Sequence, residues 1–260
     1  MKRMHLFEWE DQEWFPVNVR NYMTDYLQFV ANTFKLQDNI LPILKKGLKI
    51  SGGSTIIDLC SGGGGGLKTL SKDLLCDFPD LKIILTDYYP NLVAFQNTVQ
   101  FNPAVFSFVE NSVDATQCPE DLKGFRTILT GFHHFSPEMA TKILADAVEA
   151  RQPIGIFEIT ERHPLMIGAM LTLVPMFFWL ATPFIRPFSW ERMLLTYGIP
   201  VVPFFTIWDG VVSCLRTYSK TELEELTSPF KNSGYYWEIG RIRNENGWNN
   251  YLLGYPNDGK

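Results

Sequence analysis

The stretch Thr55-Ile56-Ile57-Asp58-Leu59-Cys60-Ser61 ends an apolar run in an acid, and five consecutive glycines, Gly62 to Gly66, follow it. Glycine reaches positive φ without steric cost and lets a ligand approach the main chain. Leu67-Lys68-Thr69-Leu70 then reads as the first turn of a helix, with unpaired N–H groups and the positive end of its dipole. This is the chemistry of a cradle for a nucleotide-like ligand. Other reactive side chains also stand at the ends of apolar runs. Asp87 follows Lys82–Thr86, the pair His133-His134 follows Thr127–Gly131, and Glu158 falls at the end of Ile154–Ile159. An imidazole suits proton removal near neutral pH. It can equally orient a loop through a backbone hydrogen bond. A carboxylate at Glu158 could bind an amine or hydroxyl, or pair with Arg162.

The elements that must carry these residues alternate. Thr55–Leu59, Lys82–Thr86, Val105–Val109, Thr127–Gly131 and Ile154–Ile159 read as five strands. Helices are predicted at Leu67–Phe78, Asn91–Phe101 and Pro137–Ala150. Short apolar runs separated by helices imply parallel strands joined by right-handed crossovers. Ligands of such sheets bind at the carboxyl ends of the strands. After residue 218, Ser219-Lys220-Thr221-Glu222 forms a capping box, and Leu223 and Leu226 continue its helix. Tyr235–Arg243 and Trp248–Tyr255 flank Asn246-Gly247, a hairpin signal. At the other end, Met23, Tyr26, Leu27, Val30 and Phe34 share one face of a predicted helix. A second helix is expected from Asp38 as N-cap to Gly47.

With 260 residues, 46% of them apolar and 20% charged, the chain is an ordinary globular one, long enough for a large α/β domain with an addition. The net charge of −5 and the lack of a basic run argue against nucleic acid as a partner. Four cysteines, Cys60, Cys76, Cys118 and Cys214, are scattered with no Cys-x-x-Cys, so neither a metal site nor a disulfide framework is expected, and a reducing cytoplasmic compartment fits. The N-terminus turns acidic at Glu8, too soon for a signal peptide.

Taken together, Asp58-Leu59-Cys60-Ser61-Gly62-Gly63-Gly64, Asp87 and Val113-Asp114-Ala115 resemble the donor motifs of class I S-adenosylmethionine-dependent methyltransferases. The resemblance spans about Ser54 to Tyr255, apart from an apolar insertion. Cys60 stands where the family has its first glycine. The resemblance implies a Rossmann-like α/β fold: a seven-stranded sheet, parallel with a terminal antiparallel β-hairpin and helices on both faces. It also implies S-adenosylmethionine as cofactor, held by Asp58, Cys60, Gly62, Gly64, Asp87, Tyr88, Asp114 and Ala115. In this reading Asp87 accepts from both ribose hydroxyls, Tyr88 lies along the adenine, Asp114 accepts from the adenine amine, and Asp58 supports the loop or the ammonium of the donor. Asp114 could equally serve a turn. His134, His133 and Glu158 become candidates for holding or removing the acceptor's proton, since methyl transfer otherwise needs mainly positioning and desolvation.

The substrate side rests on two less regular segments. Between Pro164 and Trp208 the only charges are Arg186, Glu191 and Arg192, and Leu165–Phe184 carries none. That run is as long as a membrane span. Pro175 and Pro183 interrupt it, however, and the chain must return to complete its sheet. A hydrophobic lid that dips into a membrane surface, a homodimer face and plain core are the competing readings. The abundance of Phe, Met and Trp points to a small apolar or aromatic acceptor. Trp14, Phe15, Arg20 and Tyr26 either close over it or serve, as aromatics commonly do, to pack the N-terminal segment onto the main domain, with Asp209 and Arg216 either facing it or paired to hold the lid. The expected divisions are a helical cap over 1–50, a donor-binding core over 51–163, an apolar lid over 164–218, and the rest of the core over 219–260. Against methyl transfer on oxygen, nitrogen or carbon stand a non-catalytic donor-binding or membrane-surface module, and a nicotinamide-dependent oxidoreductase. The terminal hairpin and the absence of Tyr-x-x-x-Lys disfavour the last.

Overall fold

The computed structural model describes residues 1–244 and 247–257. In chain order its helices are α1 (Val17–Thr33), α2 (Leu41–Ser51), α3 (Gly66–Leu75), α4 (Leu92–Phe101), α5 (Pro137–Glu149), α6 (Pro164–Ala181), α7 (Trp190–Met193), α8 (Val201–Arg216) and α9 (Lys220–Thr227). The strands are β1 (Thr55–Asp58), β2 (Lys82–Leu85), β3 (Phe106–Phe108), β4 (Phe125–Leu129), β5 (Ile154–Glu158), β6 (Tyr235–Asn244) and β7 (Gly247–Pro256). Contacts divide the chain into two units, Met1–Phe34 with Thr160–Tyr218 and Lys35–Ile159 with Ser219–Lys260.

The second unit holds one seven-stranded sheet in the order β3-β2-β1-β4-β5-β7-β6. The first five strands pair in parallel, and β7 enters antiparallel between β5 and β6, with Glu158 opposite Asn250. The order reverses between β1 and β4, so right-handed crossovers put helices on both faces. Strand alternation shows the two faces at β4. Phe125 points at α2, where a Cβ on Gly47 would lie 2.2 Å from its ring. Arg126 points the other way and pairs with Asp146 of α5 at 2.5 Å. Leu44, Leu48, Leu67, Leu70 and Leu74 pack with Ile56, Ile83 and Phe157 in the main core. Local capping fixes the helix starts. Asn91 accepts from the amide of Ala94, Ser136 from that of Met139, and Ser219 with Glu222 completes the capping box.

Four expectations shift. β4 runs over Phe125–Leu129, two residues ahead of the expected Thr127–Gly131, because Arg126 is buried against Asp146. Gly47 does not end α2; it is a contact point for Phe125, and Gly52 at φ +66° terminates the helix instead. Asp38 opens a short 3₁₀ turn ahead of α2. The contact division falls after Phe34, so α2, placed with the N-terminal segment by the sequence reading, belongs to the sheet unit. The two strands of the hairpin are as expected, while Glu245 and Asn246 of its turn lie outside the described residues.

The first unit is helical. Phe15, Val19, Met23 and Tyr26 from α1 and its approach pack with Phe178, Ala181, Ile185 and Val202. Tyr26 stacks on Phe178 with centroids 3.8 Å apart, and its hydroxyl donates to the Val174 carbonyl at 3.2 Å, next to Pro175 inside α6.

Candidate functional site

Parallel pairing brings the carboxyl ends of β1, β2 and β4 together, and the loop after β1 is built on that edge. Cys60, Gly62 and Gly64 all take left-handed backbone, with φ of +58°, +54° and +69°. Cys60 therefore adopts the conformation that glycine would otherwise supply at that position, which costs an L residue on the order of 1 kcal/mol. Gly64 has a second constraint, because a Cβ there would lie 2.9 Å from Leu85 Cδ1 and 3.2 Å from Thr98 Oγ1. At Gly62 nothing stands within 4 Å of such a carbon, so that part of the loop leaves its backbone open to a ligand. Hydrogen bonds lock the loop to β2. Ser61 N–H donates to the Thr86 carbonyl at 2.9 Å, and the Asp58 carbonyl accepts from the Ser61 hydroxyl at 2.8 Å and from the Thr86 amide and hydroxyl at 3.0 Å each.

Three acids meet at this loop. Asp58 is buried, accepts from the Thr127 hydroxyl at 2.7 Å, and is pushed up to about 7 by burial. Asp87 accepts from the amide of Gly62 at 2.8 Å through one oxygen and from that of Tyr89 at 2.9 Å through the other. The helix N-cap that an acid here might have formed is taken by Asn91 instead. Burial raises the Asp87 carboxyl, while its backbone donors and the charge of His134 oppose that rise. Asp114 is exposed, and one of its oxygens accepts from the amide and hydroxyl of Thr116 at 2.8 and 2.7 Å. Its turn role is thus real, and its other oxygen makes no hydrogen bond among the described residues. The segment is stitched to β2 by Val113 N–H on the Asp87 carbonyl at 2.9 Å and the Ser112 hydroxyl on the Tyr88 carbonyl at 2.7 Å. Ala115 is buried beside it, and Tyr88 is exposed. The Cys60 thiol is raised first by burial and then by the charges of Asp87, Asp58 and Asp114.

The histidine pair forms a 3₁₀ turn after β4. His133, 2% exposed, places Nδ1 2.9 Å from one oxygen of Glu158, and its backbone amide donates to the other at 3.0 Å. The two contacts fix the orientation of the ring against the carboxylate. Glu158, considered above as a ligand for an amine or hydroxyl, is engaged by His133 through both oxygens and anchors that ring. His134 is partly buried, and its ring centroid lies 4.3 Å from that of His133.

In the helical unit most of the residues expected to face an acceptor have structural partners. Phe15 and Tyr26 lie in its core: Tyr26 continues the buried stripe of Val19 and Met23 on α1, and Phe15 joins it from the turn ahead of the helix. Arg20 donates to the carbonyls of Glu10 and Gln12 at 3.1 and 2.6 Å, fastening the turn ahead of α1. Asp209 and Arg216 hold the N-terminal segment along α8. Asp209 accepts from the amides of Trp9 and Glu10 at 2.8 and 3.1 Å, and burial pushes it up to about 7. Arg216 pairs with Asp11 at 2.6 Å and with buried Glu8 at 3.2 Å. Trp14 alone of the set is strongly exposed, with its ring edge-on to Trp9.

Sequence reasoning missed Thr127, Ser61 and Thr86, the hydroxyls that orient Asp58 and its loop. The available signal was a hydroxyl residue within or just past an apolar strand beside the glycine loop. It also missed Thr130, a β-branched residue at φ +54° between β4 and the histidines. Strain of that kind persists only where surrounding structure over-determines it.

No protein-family model matches the sequence, and no curated protein matches it. Solved structures do match. The methyltransferase domain of bacterial CtHen1 is 14% identical with a TM-score of 0.52, over 85% of this chain and 99% of that one. LaPhzM is 16% identical with a TM-score of 0.51, over 84% of this chain and 54% of its own length. Identities this low speak for fold. Sheet order, antiparallel final strand, glycine loop after β1 and structural likeness all agree: the chain has the class I S-adenosylmethionine-dependent methyltransferase fold.

Proposed function

We propose that the protein transfers a methyl group from S-adenosylmethionine to a small apolar or aromatic acceptor. The observation that carries this reading is the meeting of Asp58, Asp87 and Asp114 around a left-handed Cys60–Gly64 loop. The residues fit the donor chemically. Gly62 leaves open backbone for its amino-acid part. Asp87 has a carboxylate for a vicinal diol, and Asp114 keeps an acceptor for an exocyclic amine. Asp58 lies behind the loop, where a cation would favour its ionised form. When bound, S-adenosylmethionine supplies a methyl group already activated on a sulfonium.

The chain's own part is then to bind, align and remove a proton. His133, oriented by Glu158, and His134 beside it are the groups suited to the last task. The abundance of Phe, Met and Trp in the sequence is what favours an apolar or aromatic acceptor.

Calorimetric titration tests the donor. Binding of S-adenosylhomocysteine with no binding of a nicotinamide dinucleotide is expected, and the reverse result removes the proposal. With the donor established, His134→Ala should lower turnover while leaving donor affinity unchanged. Equal loss of both assigns the ring a structural role.

A further inference from the structure

The start of β4 holds a charge that the fold uses only in part. Arg126 is 2% exposed, yet its guanidinium makes a single hydrogen bond, from Nη1 to Asp146 at 2.5 Å. A guanidinium has five N–H donors. Nε is sealed in with no partner, and among the described residues Nη2 has none either. Buried polar groups are nearly always satisfied, so a cation left this far from satisfied marks a place where something else binds.

A cavity of about 380 Å³ opens beside this side chain, within the size range of small-molecule sites. One wall is the loop before β4, with Cys118, Glu120 and Lys123. The other is the last turn of α5 and the residues after it, with Asp146, Glu149 and Gln152. Gln152 ties the walls together. Its Oε1 accepts from the Gly124 amide at 2.9 Å, and its carbonyl accepts from the Tyr235 hydroxyl at 2.6 Å. The cavity lies at the amino ends of β4 and β5, whereas the glycine loop follows the carboxyl end of β1, which runs parallel to β4. The two sites are therefore at opposite edges of the sheet.

The ligand follows from the charges. Three carboxylates, Glu120, Asp146 and Glu149, and two cations, Lys123 and Arg126, line the cavity. Arg126 and Asp146 pair, and the other three have no ion pair among the described residues. Glu149 also ends α5, whose last turn carries no basic residue, so the negative end of the helix dipole adds to its charge. A simple anion would satisfy Arg126 and meet this acidic rim. A simple cation would suit the rim and leave the guanidinium without a partner. A molecule with both charges meets both needs. Glu149 follows Asp146 by three residues and shares its face of α5, which sets their Cβ atoms about 5–6 Å apart. A short zwitterion spans that separation. We propose that the cavity binds a free α-amino acid, its carboxylate on Arg126 and Lys123 and its ammonium on Glu149 and Glu120. This site goes beyond the methyl-transfer reading and stands without it.

Calorimetry of the full chain with the standard free amino acids, in the absence of S-adenosylmethionine, tests the site. At least one should bind with a Kd of about 1 mM or tighter. Its N-acetyl derivative and its primary amide, each lacking one charge, should bind about tenfold more weakly or worse. Glu149→Gln, at an exposed position, should weaken binding by about tenfold or more, and Lys123→Gln by about threefold, with circular dichroism unchanged in both. The bound amino acid should slow modification of Cys118 by methyl methanethiosulfonate in peptide mass spectra and leave that of exposed Cys76 as it was. Failure of every amino acid to bind overturns the proposal, as does binding indifferent to Glu149→Gln. Equal binding of the N-acetyl derivative makes this an anion site and overturns it too. Competition by S-adenosylhomocysteine, which has an amino-acid end of its own, assigns the bound molecule to the glycine loop and has the same effect. A wild type that binds an amino acid but not S-adenosylhomocysteine counts against methyl transfer alone.

Discussion

Replacing Asp87 by asparagine separates a ligand-binding acid from a loop strut. The carboxylate accepts from Gly62 and Tyr89 at 2.8 and 2.9 Å. Asparagine preserves the shape, keeps one accepting oxygen and turns an NH₂ toward the other amide. In the free protein this exchanges a charge-assisted hydrogen bond for a poor contact, normally a loss of about 1.5–3 kcal/mol. The same change removes a carboxyl group that burial holds above its ordinary range, which offsets part of the loss. The net should be on the order of 1 kcal/mol, or about 2–4 °C in Tm for a chain of this size. Donor binding has no such offset, since both ribose hydroxyls lose a charged acceptor. A loss of about 2–3 kcal/mol weakens Kd about 30- to 150-fold. Calorimetry with S-adenosylhomocysteine, beside thermal melts of the free protein, reads both numbers. A Kd within threefold of wild type, or a fall in stability as large as the fall in affinity, refutes the assignment of Asp87 to the ribose.

Other variants address the loop, the buried acid and the sheet. Gly62→Ala should cost about 1 kcal/mol of stability for backbone strain alone, whereas Gly64→Ala adds the contacts with Leu85 and Thr98 and should cost at least twice that on the order of overpacking penalties; equal melting temperatures would contradict the geometry. Asp58 is raised to about 7 in the fold. Its protonated form is therefore favoured by folding, and its contribution is present at pH 4 and lost as pH rises through 7, by up to about 4 kcal/mol. Denaturant midpoints of Asp58→Asn should lack that part of the slope between pH 4 and 7, and an unchanged slope counts against it. Asp146→Ala leaves Arg126, 2% exposed, without its carboxylate. Stability should fall by about 3–5 kcal/mol, and Asp146→Ala with Arg126→Met should recover most of it in chemical denaturation.

How much of this was legible in residues varies with the kind of interaction. The five parallel strands and their helices follow from local periodicity, and the loop after β1 from glycines whose backbone demands are written in their identity. The sequence places β4 two residues late because Arg126 looks like the start of solvent and is a buried ion pair with a residue 20 positions on. Gly47 looked like a helix end because nothing local shows the ring of Phe125 waiting opposite. The site failed in the same way. Glu158 and His134 stand as rival candidates for the proton, although strand order commits Glu158 to His133. Phe15, Tyr26, Asp209 and Arg216 carry both a structural and a ligand-facing reading, because aromatic and charged residues in irregular sequence fit either. Their partners, Phe178, Val174, Trp9, Glu8 and Asp11, lie far away in the chain or across an unpredictable turn.

The position of β7 bears on how the protein is made. The last strand in chain order is not an edge strand; it lies between β5 and β6. Until residues beyond 247 leave the ribosome, β5 presents an unpaired row of backbone donors and acceptors, and open edges of this kind recruit other chains. The segment synthesised during that interval is α6 to α8, the most apolar part of the sequence. A nascent chain therefore displays its sticky edge and its greasiest helices together, for the time it takes to translate about 90 residues, several seconds at ordinary elongation rates. Overexpression should expose this window as inclusion bodies, and slower synthesis or a membrane close to the ribosome should narrow it.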